Sequence, residues 1–390
     1  MIYLDYYDLS QINHIFEFTG FNIQSLRINM KIRWVGNKEI WKEYVDEKID
    51  SCLASGHFSN FGANVGLLEQ FSHERFGIDD DKVVITVTNG ACGIESLVCG
   101  LCHHYDRQLR FAVQSFTFPC SQQGILRNSV MIDISPETMG PCLVKLKEKL
   151  DQYDGIMVTN CFGFCVDIQA YVDFCREHNK LLLFDNAASP LTKYKGSNLL
   201  NYGIGSVISF HHTKPIGFGE GGLIIVDKKY ADDVRKVSNF GYCPEDKYTY
   251  SSYGSNHKMS DLSAIYILQW LKYYCATIEI DYSRKMEIFD LLAHNQELDL
   301  KYLPSFHDKD EPHVASTIAI MFDRPADHTF FVSKGIEAKK YYHPLGSRED
   351  YPYSWHIFDH ILCLPLNFDV DIEKMTDMLY AIKEYLSTHK

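Results

Sequence analysis

The sequence predicts an α/β protein: a large unit with a mostly parallel sheet covered by helices, followed by a smaller α+β unit. Two observations carry this expectation. From about residue 81, short β-branched or apolar runs alternate with longer amphipathic stretches. After about residue 270 the alternation gives way to one long helical pattern and a mixture of short strands and helices.

"KVVITVT" (82–88) has the composition of a buried strand, and "GIESLVCGLCHHY" behind it places apolar residues at helical spacing. "RFAVQS" (110–115) and "SVMIDI" (129–134) read as strands that lead into the amphipathic stretches "CSQQGILRNS" and "CLVKLKEKLDQY". "GIMVTNCF" (155–162), "LLLFDNAA" (181–188) and "GSVISF" (205–210) complete the strand series, with "DIQAYVDFCREHNK" as the helix between the first two. Segment 262–292 carries a helical pattern without an internal breaker; beyond it "STIAIMF" (316–322) reads as a strand and "IEKMTDMLYAIKEYL" as a final helix. The expected divisions are an N-terminal appendage at 1–31, a large unit at 32–265 and a small unit at 266–390. Met30, in "MKIRWVG", reads as an alternative start. In such sheets ligands sit beyond the carboxyl ends of the strands, so chemistry is sought just past each strand.

Composition narrows the function. The 390 residues carry a formal net charge of -13 and no lysine–arginine stripe, which argues against nucleic acid as a partner. The acidic, polar N-terminus is unlike a secretory or transit signal, and no apolar run is long enough to span a membrane. Twelve cysteines in such a chain point to a reducing, cytoplasmic setting. Cys99 and Cys102 have C-x-x-C spacing, but no second pair or histidine cluster accompanies them. Two buried helix thiols is the plainer reading and a metal or redox site the alternative; no metal is expected.

Within "SVISFHHTKPIGFGEGGLIIV" (206–226), Gly217, Gly219 and Gly222 form a literal G-x-G-x-x-G. A dinucleotide site needs a helix after those glycines, whereas "LIIVD" reads as a second strand, so a strand-to-strand turn is expected instead. Lys214 lies just past a buried strand, among glycines and aromatics. It is either a solvated lysine or an amine of lowered pKa suited to Schiff-base chemistry. Asp185 ends an apolar strand and either caps the next helix or meets a cation, a pyridinium nitrogen being one candidate. Asn89-Gly90-Ala91-Cys92 lies between a strand and a helix, where small residues let successive N–H groups hold a phosphate. Phe118 follows a strand, where a ring can stack on a flat cofactor. Phosphate cradle, stacking ring, carboxylate and amine together match the requirements of pyridoxal 5'-phosphate (PLP).

On these residues the chain resembles the DegT/DnrJ/EryC1/StrS family of PLP-dependent nucleotide-sugar aminotransferases over roughly residues 32–390. The segments that carry the resemblance, in order, include "HFSNFGANVGLLEQ", "NGACGIESL", "SFTFPCS", "CFGFCVDIQ", "LLLFDNAAS", "SFHHTKPIGFGEGG", "VSNFGY", "GSNHKMSDLSAIYILQWL", "KKYYHPLGS" and "ILCLPLNFDVD". The resemblance implies the fold-type I arrangement, with a seven-stranded sheet in the large domain. It also implies roles. Lys214 would carry the cofactor and shuttle the proton; Asp185 would hold the pyridinium proton, and Phe118 would stack on the ring. Gly90, Ala91 and Ser209 would bind the phosphate. Asn239 would reach a neighbouring subunit's phosphate, which makes the active enzyme a homodimer, and Tyr342 and His343 would approach the sugar nucleotide. Two positions depart from the family pattern. Where the family usually has Gln or His against the cofactor's 3′ oxygen, this chain has Ala188, with Asn186 as a candidate substitute. A frequent arginine on the substrate side is Lys258 here, which keeps the charge and loses the bidentate fork.

The reaction implied is a two-stage transamination. L-glutamate converts PLP to the pyridoxamine form (PMP), which then aminates a nucleotide-linked keto sugar. The segments look most like enzymes acting at C4 of dTDP-4-keto-6-deoxyglucose, of the viosamine type, in deoxyamino-sugar and O-antigen biosynthesis. The alternatives are a C3 aminotransferase, a PMP-dependent 3-dehydratase and a non-catalytic regulatory protein on the same fold. The dehydratases replace the lysine with histidine, and this chain keeps Lys214.

Overall fold

The computed structural model describes residues 30–242, 246 and 248–388, so the appendage expected at 1–31 lies outside the described residues except for Met30 and Lys31. The helices are α1 Lys42–Ser55, α2 Ala63–Phe76, α3 Gly90–His104, α4 Leu143–Lys147, α5 Ile168–Glu177, α6 Lys228–Ser238, α7 Asp261–Asn295, α8 His328–Ser333, α9 Pro352–His360 and α10 Ile372–Thr388. The strands are β1 Lys82–Val87, β2 Phe111–Gln114, β3 Val130–Ile132, β4 Gly155–Thr159, β5 Leu181–Asp185, β6 Lys193–Tyr194, β7 Ser197–Asn198, β8 Gly205–Ser209, β9 Gly222–Asp227, β10 Lys301–Tyr302, β11 Ile318–Met321 and β12 Ile361–Leu364.

Seven strands form one sheet in the order β1-β9-β8-β5-β4-β2-β3. Only β9 runs against its neighbours β1 and β8; the remaining pairs are parallel. The sequence pattern explains this arrangement. β2, β4 and β8 are buried along their whole length, as strands covered on both faces must be, and their apolar runs show no polar alternation. A second sheet, β10-β11-β12, is antiparallel and belongs to the C-terminal part. The mostly parallel α/β class expected from sequence is the one observed.

Two local expectations are corrected. "CSQQGILRNS" is not a helix but two 3-10 turns, Pro119–Gln122 and Gly124–Leu126, because Pro119 sets the first turn and Gly124 adopts φ +53. "CLVKLKEKLDQY" is helical only over α4 before another 3-10 turn at Leu150–Gln152. α7, Asp261–Asn295, is the unbroken helix expected over 262–292.

One of the ties between the C-terminal part and the large sheet is a buried carboxylate. Asp133, just past β3, accepts hydrogen bonds from Tyr353 N–H (3.0 Å), Ser354 N–H (3.0 Å) and Ser354 Oγ (2.7 Å), which caps the N-terminus of α9. This cap fixes the helix that follows segment 341–351 and with it the segment above the sheet's carboxyl edge. Asp133→Ala should therefore lower unfolding free energy by about 1–3 kcal/mol, since it leaves buried donors unpaired. Urea denaturation measures this, and an unchanged midpoint would contradict the capping role.

Candidate functional site

A cavity of about 540 Å³ opens at the carboxyl ends of the parallel strands. Its floor is built from strand ends and one helix start: Thr159 and Asn160 after β4, Asp185 from β5, Ser209 from β8, and Gly90 and Ala91 opening α3. Lys214 and Phe118 enter from the sides, while Trp34, Tyr341 and Tyr342 come from segments outside the sheet.

The start of α3 leaves donors free. Asn89 is its N-cap, and its side chain accepts from Cys92 N–H at 2.9 Å, while Gly93 N–H donates to Asn89 O at 2.9 Å. The N–H groups of Gly90 and Ala91 have no acceptor among the described residues. Ser209 Oγ accepts from His211 N–H at 3.1 Å and keeps its own proton available. A Cβ on Gly90 would lie 3.0 Å from Ser209 Cβ, a tight contact, so glycine at 90 favours the close approach of loop and strand end. The same applies opposite: a Cβ on Gly222 would lie 2.8 Å from the Asn89 carbonyl carbon. The glycine-rich segment is thus a turn between β8 and β9 that passes against the α3 start, and it leads into a strand.

Asp185 is 2% exposed, and its carboxylate accepts a single hydrogen bond, from Ala187 N–H at 3.0 Å. It caps no helix. Burial pushes its carboxyl up from the ordinary 3.8, against the pull of the Ala187 N–H and the Lys214 charge. Lys214 shows the converse: burial pushes its amine down from the ordinary 10.5, opposed by Asp185 and the nearby thiols. The acid is buried and the amine half-buried, and both line one cavity with room for a flat ring. A buried carboxylate short of partners, two free amides at a helix start beside a serine hydroxyl, and an amine of lowered pKa fit PLP by its ring nitrogen, phosphate and aldehyde.

An aromatic wall closes the other side. The ring of Tyr342 stacks on Phe162 (centroids 5.1 Å, interplanar 4°) and meets Phe118 edge-on at 6.4 Å. Burial pushes the Tyr342 phenol well above its ordinary value. Trp34 meets Tyr341 edge-on at 5.8 Å. At the mouth, His211 Nε2 lies 3.4 Å from Glu220 Oε1.

Of the residues singled out from sequence, Gly90, Ala91, Phe118, Asp185, Ala188, Ser209, Lys214 and Tyr342 line this one cavity. His343 does not: it is exposed and packs on Trp355 and Phe358, at 4.8 and 5.2 Å. Asn239 and Lys258 also lie outside the lining. Asn239 pairs with Asn256 at the end of α6, and Lys258 donates to Asn256 Oδ1 (2.7 Å) with its amine 4.3 Å from the Phe240 ring centroid. Asn186 is not available as a substitute near Ala188. It is fully buried, accepting from Asn160 Nδ2 (2.7 Å) and donating to Ser206 Oγ (2.8 Å). Sequence reasoning missed Trp34, Thr159, Asn160, Phe162, His211 and Glu220. Position just past a strand was the available signal for Thr159 to Phe162. Cys99 and Cys102 are both buried on α3.

The sequence profile of the DegT/DnrJ/EryC1/StrS aminotransferase family matches residues 40–383. The chain is 23% identical over 295 residues to dTDP-4-amino-4,6-dideoxy-D-glucose transaminase of Shigella dysenteriae, covering 69% of this chain and 77% of that protein. It is 24% identical over 321 residues to GDP-perosamine synthase of Escherichia coli O157:H7, covering 80% of this chain and 84% of that one. In fold it is similar to the crystal structure of DesI in the presence of its TDP-sugar product, with a TM-score of 0.76 and 19% identity, covering 92% and 97% of the two chains.

The raised Asp185 carboxyl makes a stability prediction for cofactor-free protein. Such a group contributes its stability fully below its unfolded value and loses it as pH rises through the raised native value. Asp185→Asn removes that titration. The variant should be at least as stable as the parent at about pH 8, with a flatter decline in melting temperature from about pH 4 upward. A melting series showing parallel curves for the two proteins would contradict the assignment.

Proposed function

The chain belongs to the DegT/DnrJ/EryC1/StrS aminotransferase family, and we propose that it moves the amino group of L-glutamate to C4 of a nucleotide-linked 4-keto-6-deoxyhexose. The enzyme is PLP-dependent. dTDP-4-keto-6-deoxyglucose is the first candidate acceptor, and the product would be a deoxyamino sugar for surface polysaccharide. The observation that carries the reading is the retained Lys214 held with Asp185 in one cavity beside free helix-start amides. Support for C4 comes from a similar protein whose name specifies a 4-amino-4,6-dideoxy-D-glucose transaminase.

When bound, PLP supplies an electron sink and carries the amino group between donor and acceptor. The chain's residues do the rest. Gly90 and Ala91 N–H with Ser209 Oγ would hold the phosphate at the positive end of α3. Asp185 would hold the protonated ring nitrogen, a cation that relieves its buried charge more closely than Lys214 does. Phe118 would offer its ring to the flat face of the cofactor. Lys214 Nζ would hold the cofactor and a proton at the reacting carbon, and burial favours the neutral amine that both tasks need. Tyr342, stacked on Phe162, gives an apolar face for the sugar ring and keeps water out.

The site needs a second copy. Lys214 and His211 are the basic side chains of the described lining, yet a cofactor phosphate, a nucleotide diphosphate and a donor carboxylate are all anionic. Asn239 and Lys258, gathered around Asn256 beside the exposed Phe240 ring, would reach the partner's site in a homodimer with shared active sites.

Incubation with glutamate and a panel of 4-keto and 3-keto nucleotide sugars should give an amine that NMR locates at C4. An amine at C3, or none with any keto sugar, contradicts the proposal. Lys214→Ala should abolish turnover. Mixing inactive Lys214→Ala with an Asn239→Ala variant should restore activity that neither shows alone, because each hybrid dimer holds one complete site; no recovery would argue against sharing.

A further inference from the structure

Lys38 lies outside the 40–383 stretch that matches the family, and its amine is inserted beneath the turn that carries Lys214. Lys38 Nζ donates to His212 O (2.9 Å), to Lys214 O (2.8 Å) and to Gly217 O. An ammonium has three N–H donors, and all three are spent on this turn. Trp270, on α7, donates from Nε1 to Pro215 O at 3.2 Å and offers its ring face to Lys38 Nζ, 5.3 Å from the centroid. Four carbonyls within residues 212–217 are therefore held by two side chains from distant parts of the chain. Inside the turn, Lys214 N–H donates to His211 O (2.8 Å) and Gly217 N–H to Lys214 O (3.0 Å).

No carboxylate pairs with Lys38 among the described residues; three carbonyl dipoles and the face of the Trp270 ring offset its charge. Burial pushes its amine down to about 7. Holding a partly desolvated cation is costly, and the carbonyls that satisfy its donors all belong to this turn. Its effect falls on one place: three carbonyls converge on it, and one belongs to Lys214 itself.

We propose that Lys38 and Trp270 form a clamp on the backbone of the lysine turn and act as positioning residues for Lys214, setting where its amine stands relative to the cofactor. This rests on the reading of Lys214 as the amine that carries PLP. A loosened turn leaves the cavity lining intact and misplaces the reacting nitrogen, so the loss appears in the rate of amine transfer and in the titration of the attached cofactor.

The test uses the full-length, PLP-loaded protein. Lys38→Met keeps the stem and removes the donors; Trp270→Phe keeps a ring and removes one donor; Lys38→Arg keeps charge and donors. Two readouts are taken: the pH midpoint of the cofactor's colour change, and kcat and KM for the reaction with glutamate. Lys38→Met should shift the midpoint and lower kcat roughly 10- to 100-fold with KM within about twofold. Trp270→Phe should move both the same way to a smaller extent, and Lys38→Arg should recover part of the loss. Coloured variants with the parental midpoint and kcat, differing only in melting temperature, overturn the clamp. If Lys38→Met does not fold, an unmoved midpoint in Trp270→Phe is sufficient to overturn it. A parent protein that takes up no colour overturns the reading of Lys214 and the clamp together, which distinguishes the two failures.

Discussion

A carboxylate and an amine are withdrawn from water at the ends of neighbouring strands, with little except each other to offset their charges. Asp185 closes β5, and Lys214 follows the end of β8, which pairs with β5 in the sheet. Burial works against the charged form of both groups. A fold that keeps such a pair carries a cost in the cofactor-free state. That cost becomes intelligible if a flat, cationic ring completes the site, because the ring nitrogen satisfies the acid and the aldehyde takes up the amine. Stability is given up locally for chemistry, as is common at active sites.

The single antiparallel strand places this pair opposite the anion-binding loop. After β8 the chain must reverse to run as β9 between β8 and β1, so residues 210–221 have to form a broad turn. The start of β9 packs directly on Asn89 and Gly90, at a distance that excludes any side chain on Gly222. One reversal therefore sets two things: where the lysine turn lies, and how closely the phosphate loop approaches Ser209. The Lys38 and Trp270 donors hold that turn from the far side. The backbone that carries Lys214 is thus held at both ends, which fixes where its side chain starts.

Much of this was legible in the sequence because strand ends are. Asp185, Ser209, Gly90 and Lys214 each follow an apolar run, and parallel sheets gather such positions at one edge. The G-x-G-x-x-G pattern was interpretable because the residues after it are β-branched, and a strand is what the structure places there. The rest depends on relations that local pattern does not encode. Lys38 has no neighbouring signal at all; its role exists only through carbonyls more than 170 residues away. Tyr342 and His343 are adjacent, yet one lines the cavity and the other packs on Trp355, a difference that the local pattern does not encode. Asn186 had the right chemistry to stand in near Ala188, but its amide is consumed by Asn160 and Ser206. The helical expectation for residues 120–129 failed because Pro119 and Gly124 override a weak amphipathic pattern.

The most direct test of the account is chemical. PLP-loaded protein is reduced with borohydride, digested, and mapped by mass spectrometry. The account predicts one cofactor-modified residue, Lys214, with labelling lost in Lys214→Ala and weakened in Asp185→Ala. A label on another lysine, or equal labelling after either substitution, would contradict it.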